Sequence, residues 1–143
     1  MVFSKSSCIF SSNIKIKHVK GVMLHIIGIP NCNKIRDTKD WLTSKGINFE
    51  FINVKKKPLT FDELKDLEFK VGLEVLVNSR GTTYRKLKIK ELKLNDEQLF
   101  DVLLNNQSMI KRPVIVYEHS VLVGYDEESL EIFVKENEIY IGD

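Results

Sequence analysis

LHIIGIPNCNKIR, residues 24–36, is the stretch that decides the fold, because an apolar run there meets a turn and then the start of a helix. Residues 24–27 predict a buried strand, which the following Gly-Ile-Pro breaks. Asn31 is a residue type that favours the N-cap position, so we predict that the helix begins directly after it. Cys32 is then expected in the first helical turn.

A cysteine at this position has two interpretations. Unpaired N–H groups and partial positive charge at a helix N-terminus stabilise a thiolate, and Lys34 and Arg36 add positive charge nearby. On that ground Cys32 is a candidate nucleophile. Most unpaired cysteines are instead small buried hydrophobes, and position alone leaves both interpretations open.

Length and composition exclude several classes of protein. A chain of 143 residues can form one domain whose core needs no disulfide, metal or cofactor. The net charge of +2 does not call for nucleic acid or an anionic membrane, and no run of about 18 apolar residues is present to span one. Two cysteines, Cys8 and Cys32, fit a reducing cytoplasm, where we expect the protein. The histidines are scattered, so we predict no metal site.

Residues 1–22 differ from the rest of the chain. They contain five serines, four lysines and no acidic residue. They lack the apolar core of a signal peptide, and Met23 stands directly before the first predicted strand. We therefore predict that 1–22 is a disordered extension or the product of a misassigned start, and that the domain spans 23–143.

The chain continues as helix and strand. A helix is predicted over 33–45, with Gly46 at its C-terminal end. Residues 48–54 then alternate apolar and polar side chains, as in a half-buried strand. The right-handed crossover of such a strand-helix-strand unit makes its two strands parallel.

Residues 60–106 predict a helical block. Thr-Phe-Asp-Glu at 60–63 is a capping-box pattern ahead of a helix that Gly72 ends. Asn-Asp-Glu-Gln at 95–98 is a second capping signal, ahead of the last helix of the block. Between these helices the pattern leaves residues 73–77 open as helix or strand.

The end of the chain predicts a β-hairpin over 113–124 and a last helix capped by Asp126. The apolar residues expected to cover the sheet are Leu130, Ile132, Phe133 and Val134. The order β-α-β, helical block, β-β-α is that of an α/β thioredoxin-like fold with a helical insertion over about 60–106. In that architecture a proline, usually cis, opens the third strand and faces the cysteine, and Pro113 after Arg112 is placed for that role.

Three segments, taken together, resemble the arsenate reductase ArsC/Spx family. They are GIPNC at 28–32, LVNSRGTTYRKL at 76–87 and MIKRP at 109–113, in this order and spacing. Within the family the chain is most similar to the small YffB type, whose members are regarded as glutathione-dependent thiol reductases. The resemblance covers about residues 23–137.

The resemblance implies which residues form the site. Cys32 matches the family's nucleophile, and Arg112 matches the arginine that precedes the proline. Arg80 lies in the matching insert segment and follows the YffB and Spx pattern. We add Asn33 and Pro113, which adjoin these residues in the motifs, to the predicted substrate-binding set. The alternative for each arginine is a solvated surface charge.

The function implied is that of a monothiol reductase. Ile35 stands where a Cys-x-x-Cys motif has its second cysteine, so a mixed disulfide at Cys32 must be released by an outside thiol, and glutathione is the expected co-substrate. An arsenate reductase is an alternative. Asn78 stands about where those enzymes carry an oxyanion-binding arginine, and Gly124-Tyr125 occupies the region where they carry a further one. The absence of both arginines weakens this alternative.

A second alternative is an Spx-like regulator that binds RNA polymerase without catalysis. It shares the fold, but its disulfide switch needs the second cysteine that this motif lacks. A protein disulfide is a further expected partner. The basic side chains between Arg80 and Lys93 are interleaved with apolar residues and predict a solvated face, so direct contact with nucleic acid is not expected.

Overall fold

The structure, a computed structural model, describes residues 23–139 and 141. Its sheet consists of β1 (Leu24–Gly28), β2 (Phe49–Asn53), β3 (Val114–Tyr117) and β4 (Ser120–Val123), in the spatial order β2-β1-β3-β4. β1 and β2 are parallel, as predicted, whereas β3 is antiparallel to both β1 and β4. This arrangement confirms the predicted α/β thioredoxin-like fold. The extension predicted over residues 1–22 lies outside the described residues.

The described residues contain seven α-helices, most of them in the insertion. They are α1 (Asn33–Ser44), α2 (Phe61–Val71), α3 (Leu73–Leu76), α4 (Thr82–Lys86), α5 (Ile89–Leu92), α6 (Asp96–Asn105) and α7 (Glu127–Glu136). A 3-10 helix, Gln107–Met109, leads toward β3. None of the helices in this part of the chain is long and apolar enough to cross a membrane.

Helices cover both faces of the sheet, because successive strand residues place their side chains on opposite faces. Leu24 and Ile26 lie in the core on one face, where α1 and α7 pack. Ile27 and Val114 lie in the core on the other face, against the helices of the insertion. The insertion is therefore a layer of the domain with its own buried cluster.

α1 begins one residue later than the predicted N-cap at Asn31 implied. Cys32 itself is the N-cap residue, with φ −118° and ψ 128°, so the assignment of the cap to Asn31 was wrong. Asn31 has a φ of 61°, a left-handed conformation that asparagine tolerates better than most residues, and it turns the chain from β1 toward α1. Gly46 at the other end has a φ of 69°, as predicted for a helix stop.

Both predicted capping boxes are present in the insertion. Thr60 and Glu63 exchange hydrogen bonds at 3.2 and 2.8 Å, and Asn95 and Gln98 do so at 2.8 and 3.0 Å. The stretch at 73–77, which the sequence left open between helix and strand, is helical over Leu73–Leu76 as α3, and Val77 follows it in an extended conformation. The two capping boxes therefore placed the starts of α2 and α6 correctly.

The sequence interpretation missed α5. The residues at its two ends, Lys88 and Lys93, both have left-handed backbones, with φ of 53° and 50°. Lysine is not a turn-forming residue type, so nothing in the pattern marks these breaks. The short helix is held by the burial of Ile89, which is 5% exposed.

α7 begins as predicted, since Asp126 Oδ2 accepts hydrogen bonds from the backbone N–H and the hydroxyl of Ser129. Leu130, Phe133 and Val134 are buried. Ile132 is 49% exposed, so its predicted place in the core was wrong. The buried positions follow the helical period, and Ile132 falls outside that stripe.

Candidate active site

An open cavity of about 650 Å³ lies where α1 begins. Three segments line it: Cys32, Asn33 and Lys34; Glu74, Val77, Asn78, Ser79 and Arg80; and Lys111 and Arg112. This volume is in the range of small-molecule sites, roughly 300–1,000 Å³. Four of the lining side chains are cationic and one is acidic, so the cavity favours ligands with anionic groups.

Cys32 presents a partly exposed thiol to this cavity. Partial burial raises the pKa of the thiol, but the backbone N–H groups of Ile35 and Lys34 and the guanidinium of Arg112 outweigh it and lower the pKa below the usual value. The contacts to the sulfur, a weak acceptor, fall short of a standard side-chain cap for α1, and the partial positive charge of the helix N-terminus adds to their effect. A larger fraction of Cys32 is therefore thiolate at neutral pH than in an ordinary cysteine.

A short antiparallel bridge holds the insertion against the segment that precedes β3. Val77 pairs with Ile110 in this bridge, and the backbone N–H of Asn78 donates to the carbonyl of Met109 at 2.8 Å. The bridge joins segments that are more than thirty residues apart in the chain. It brings the two predicted arginines to one cavity.

The turn that follows the bridge holds Arg80 at the cavity. The backbone N–H of Arg80 donates to Oδ1 of Asn78 at 3.2 Å, and the N–H of Gly81 donates to the carbonyl of Asn78 at 3.1 Å. A Cβ on Gly81 would lie 2.9 Å from Nδ2 of Asn78, so a larger residue there would displace the Asn78 side chain that holds this turn. Asn78 therefore has a structural role at about the position where an arsenate reductase is expected to carry an oxyanion-binding arginine.

Arg112 is anchored by the 3-10 helix that follows the insertion. Its Nη1 donates to the carbonyl of Ser108 at 2.9 Å, and the Ser108 hydroxyl is 2.9 Å from that of Thr83. This contact uses one of the five N–H donors of the guanidinium, and others remain for the thiolate and a ligand. The Arg112–Pro113 peptide bond is cis, as predicted.

The structure brings four of the five predicted site residues together, namely Cys32, Asn33, Arg80 and Arg112. Pro113 is buried and does not line the cavity. Sequence reasoning gave no role to Lys111 or Glu74, which also line it. The sequence did offer a signal for Lys111, because it directly precedes Arg112 in the MIKRP motif. Glu74 had none, because it lies within a short apolar stretch.

Other candidates for chemistry lie elsewhere. Nε2 of His25 is 3.1 Å from Oε1 of Glu50 on the neighbouring strand, and neither residue lines the cavity. His25 is thus not placed as a base for Cys32. Over residues 23–139, no group of three or more His, Cys, Asp or Glu side chains could hold a metal ion.

The fold and the site define a thioredoxin-like protein with a thiol at the start of its first helix. Residues 27–133 match the ArsC family, and the chain belongs to that family. The predicted resemblance is confirmed at this level.

Individual relatives carry different names. The chain is 28% identical over 114 residues to the global transcriptional regulator Spx of Listeria innocua, a match covering 78% of this chain and 87% of that protein. It is similar to the solved structure of a YFFB protein, with a TM-score of 0.72 and 25% identity over 77% of this chain and 97% of that one. An arsenate reductase from Vibrio cholerae has a TM-score of 0.68 and 26% identity over 78% of this chain and 98% of that one.

Proposed function

We propose that this protein is a monothiol reductase that uses Cys32 and glutathione to reduce mixed disulfides. The observation that carries the proposal is a thiol of lowered pKa in a cavity with four cationic side chains. Cys32 is the one cysteine in the described part of the chain. No second cysteine lies in that part of the chain to release a mixed disulfide at Cys32, so the proposed reaction uses an outside thiol for this step.

The reaction has two thiol–disulfide exchanges. The Cys32 thiolate attacks the glutathione sulfur of a glutathionylated substrate, the substrate S–S bond breaks, and the substrate leaves as a thiolate that takes a proton from water. The thiolate of a second glutathione then attacks the glutathione sulfur bound to Cys32. This step releases glutathione disulfide and restores the Cys32 thiolate.

The cavity residues have distinct parts in these steps. The α1 N-terminus and Arg112 stabilise the Cys32 thiolate as attacking and leaving group. Arg80 and Arg112 bind the carboxylates of glutathione, for which a guanidinium fork is well suited. Asn33, which also lines the cavity, supplies an amide for the peptide groups of the ligand.

The test is adduct formation at Cys32 in a Cys8→Ser background. Incubation with glutathione disulfide should give a single glutathione adduct by mass spectrometry, and excess glutathione should remove it. The adduct should be absent in Cys32→Ser. A chain that forms no adduct, with a Cys32 thiol titrating in the ordinary range, would contradict the proposal.

A protein-binding regulator is the second candidate, favoured by the similarity to Spx over most of both chains. Residues at the start of α1, including Asn31 and Arg36, are exposed and available to a partner. RNA polymerase is the partner expected for this function. Co-elution with purified RNA polymerase, retained in Cys32→Ser and without turnover of glutathione, would favour the regulator.

Arsenate reduction is a separate activity to measure with the same protein. Asn78 is committed to the turn before Arg80, so the oxyanion donors are Arg80, Arg112 and the nearby lysines. Arsenate-dependent oxidation of glutathione that requires Cys32 would assign this activity.

A further inference from the structure

Glu74 is the one carboxylate among the residues that line the Cys32 cavity. It lies on α3 and is exposed. Four cationic side chains share the cavity with it, but among the described residues no ion pair or side-chain hydrogen bond joins Glu74 to any of them. Its negative charge is therefore available to a ligand.

A carboxylate at this place works against simple anion binding. It repels arsenate, phosphate and any thiol that carries only carboxylates, and it attracts an ammonium group. The lysines and arginines of the same cavity attract carboxylates. Together they suit a ligand that carries both kinds of charge around one reacting sulfur.

We propose that Glu74 binds the ammonium group of a zwitterionic thiol and so makes the cavity selective for a small peptide thiol with a free amino group and carboxylates. This inference rests on the proposed function and names the residue that selects its co-substrate. Glu74 is a specificity-determining residue in this scheme, because it touches the ligand but not the reacting sulfur. The charge of Glu74 should speed the reaction with a zwitterionic partner and slow the reaction with a purely anionic one.

The experiment compares two disulfides that differ only at the amino group, which is a charged ammonium in one and a neutral acetamide in the other. Glutathione disulfide carries free amino groups, and its N,N′-diacetyl derivative does not. The rate of adduct formation at Cys32 is measured at neutral pH for both probes in the Cys8→Ser background. Glu74→Gln is the test variant, Glu74→Lys reverses the charge, and Glu131→Gln, at an exposed site on α7, is the matched control.

Glu74→Gln should slow the reaction of glutathione disulfide about three-fold, the effect of losing one solvent-exposed ion pair. It should speed the reaction of the acetylated probe, because a repulsion is removed. Glu74→Lys should enlarge both changes, and Glu131→Gln should cause neither. Because Glu74 is exposed, the thermal midpoint of Glu74→Gln should match that of the Cys8→Ser parent.

The two failures are distinguishable. If Cys32 forms adducts with both probes but Glu74→Gln changes both rates by the same factor, Glu74 does not select the ammonium group and the proposed function stands. If Cys32 reacts with neither probe, the reductase function and this inference are both overturned.

Discussion

Gly28 ends β1 directly below the site, and its replacement by alanine tests the packing that positions α1. A Cβ at this position would lie 2.5 Å from Cδ1 of Ile35 and 3.8 Å from Cγ of Arg112. Carbon atoms in favourable contact are about 3.5–4.0 Å apart. Ile35 is 2% exposed, so its terminal methyl has core atoms around it and must displace them or the first turn of α1.

The sign of the effect depends on this clash. Gly28 does not have a positive φ, so alanine suits its backbone and would by itself stabilise a strand by about 0.5–1 kcal/mol. Overpacking a core costs about 1–3 kcal/mol. We expect Gly28→Ala to destabilise the protein by about 1–2 kcal/mol and to lower Tm by about 4–8 °C.

A double-mutant cycle with Ile35→Val separates the clash from other effects, because valine lacks the Cδ1 atom. Ile35→Val alone should cost about 1 kcal/mol. The double variant should be about 1 kcal/mol more stable than the sum of the single changes predicts. Free energies of unfolding come from denaturant titration under reducing conditions. Additive changes, or a stabilising Gly28→Ala, would refute the packing argument.

Three further predictions follow from the site and its supports. Arg112→Gln should raise the pKa of Cys32, because a hydrogen bond and a positive charge are lost, so the midpoint of alkylation rate against pH should move upward. Gln107→Leu should lower the free energy of unfolding by about 3 kcal/mol, because the buried Gln107 amide bonds both the N–H and the carbonyl of Leu59, at 2.8 Å each. The folded pKa of Cys32 lies below its unfolded value, so the stability of the parent relative to Cys32→Ser should rise with pH up to about 8.5 and should be lost as pH falls through the folded pKa.

Each of these has a control or a contrary result. Arg85→Gln, at an exposed position that does not line the cavity, should leave the alkylation midpoint unchanged. The same midpoint in Arg112→Gln would mean that α1 alone holds the thiolate. A stability loss below 1 kcal/mol in Gln107→Leu would show that water replaces the amide at Leu59. Parallel pH profiles for the parent and Cys32→Ser would show an unperturbed thiol.

Features that depend on neighbouring residues could be predicted from the sequence. The strand-helix-strand unit follows from local periodicity, and the capping box at Thr60 and Glu63 involves residues three apart. The breaks beside α5 had no such signal, because the left-handed conformations of Lys88 and Lys93 are not ones that lysine favours. Ile132 was misplaced because the packing of α7 selects which apolar residues are buried.

By itself, the sequence determined the thioredoxin-like order of elements, the family and the identity of Cys32 as the candidate nucleophile, because these reside in periodicity and contiguous motifs. The motifs predicted Arg80 and Arg112 for one site, but only the tertiary structure shows how they meet, since the bridge between Val77 and Ile110 brings both to one cavity. It also placed Glu74 in that cavity. A charge acquires a role in binding only through its distance from other charges, and that distance is set by the fold.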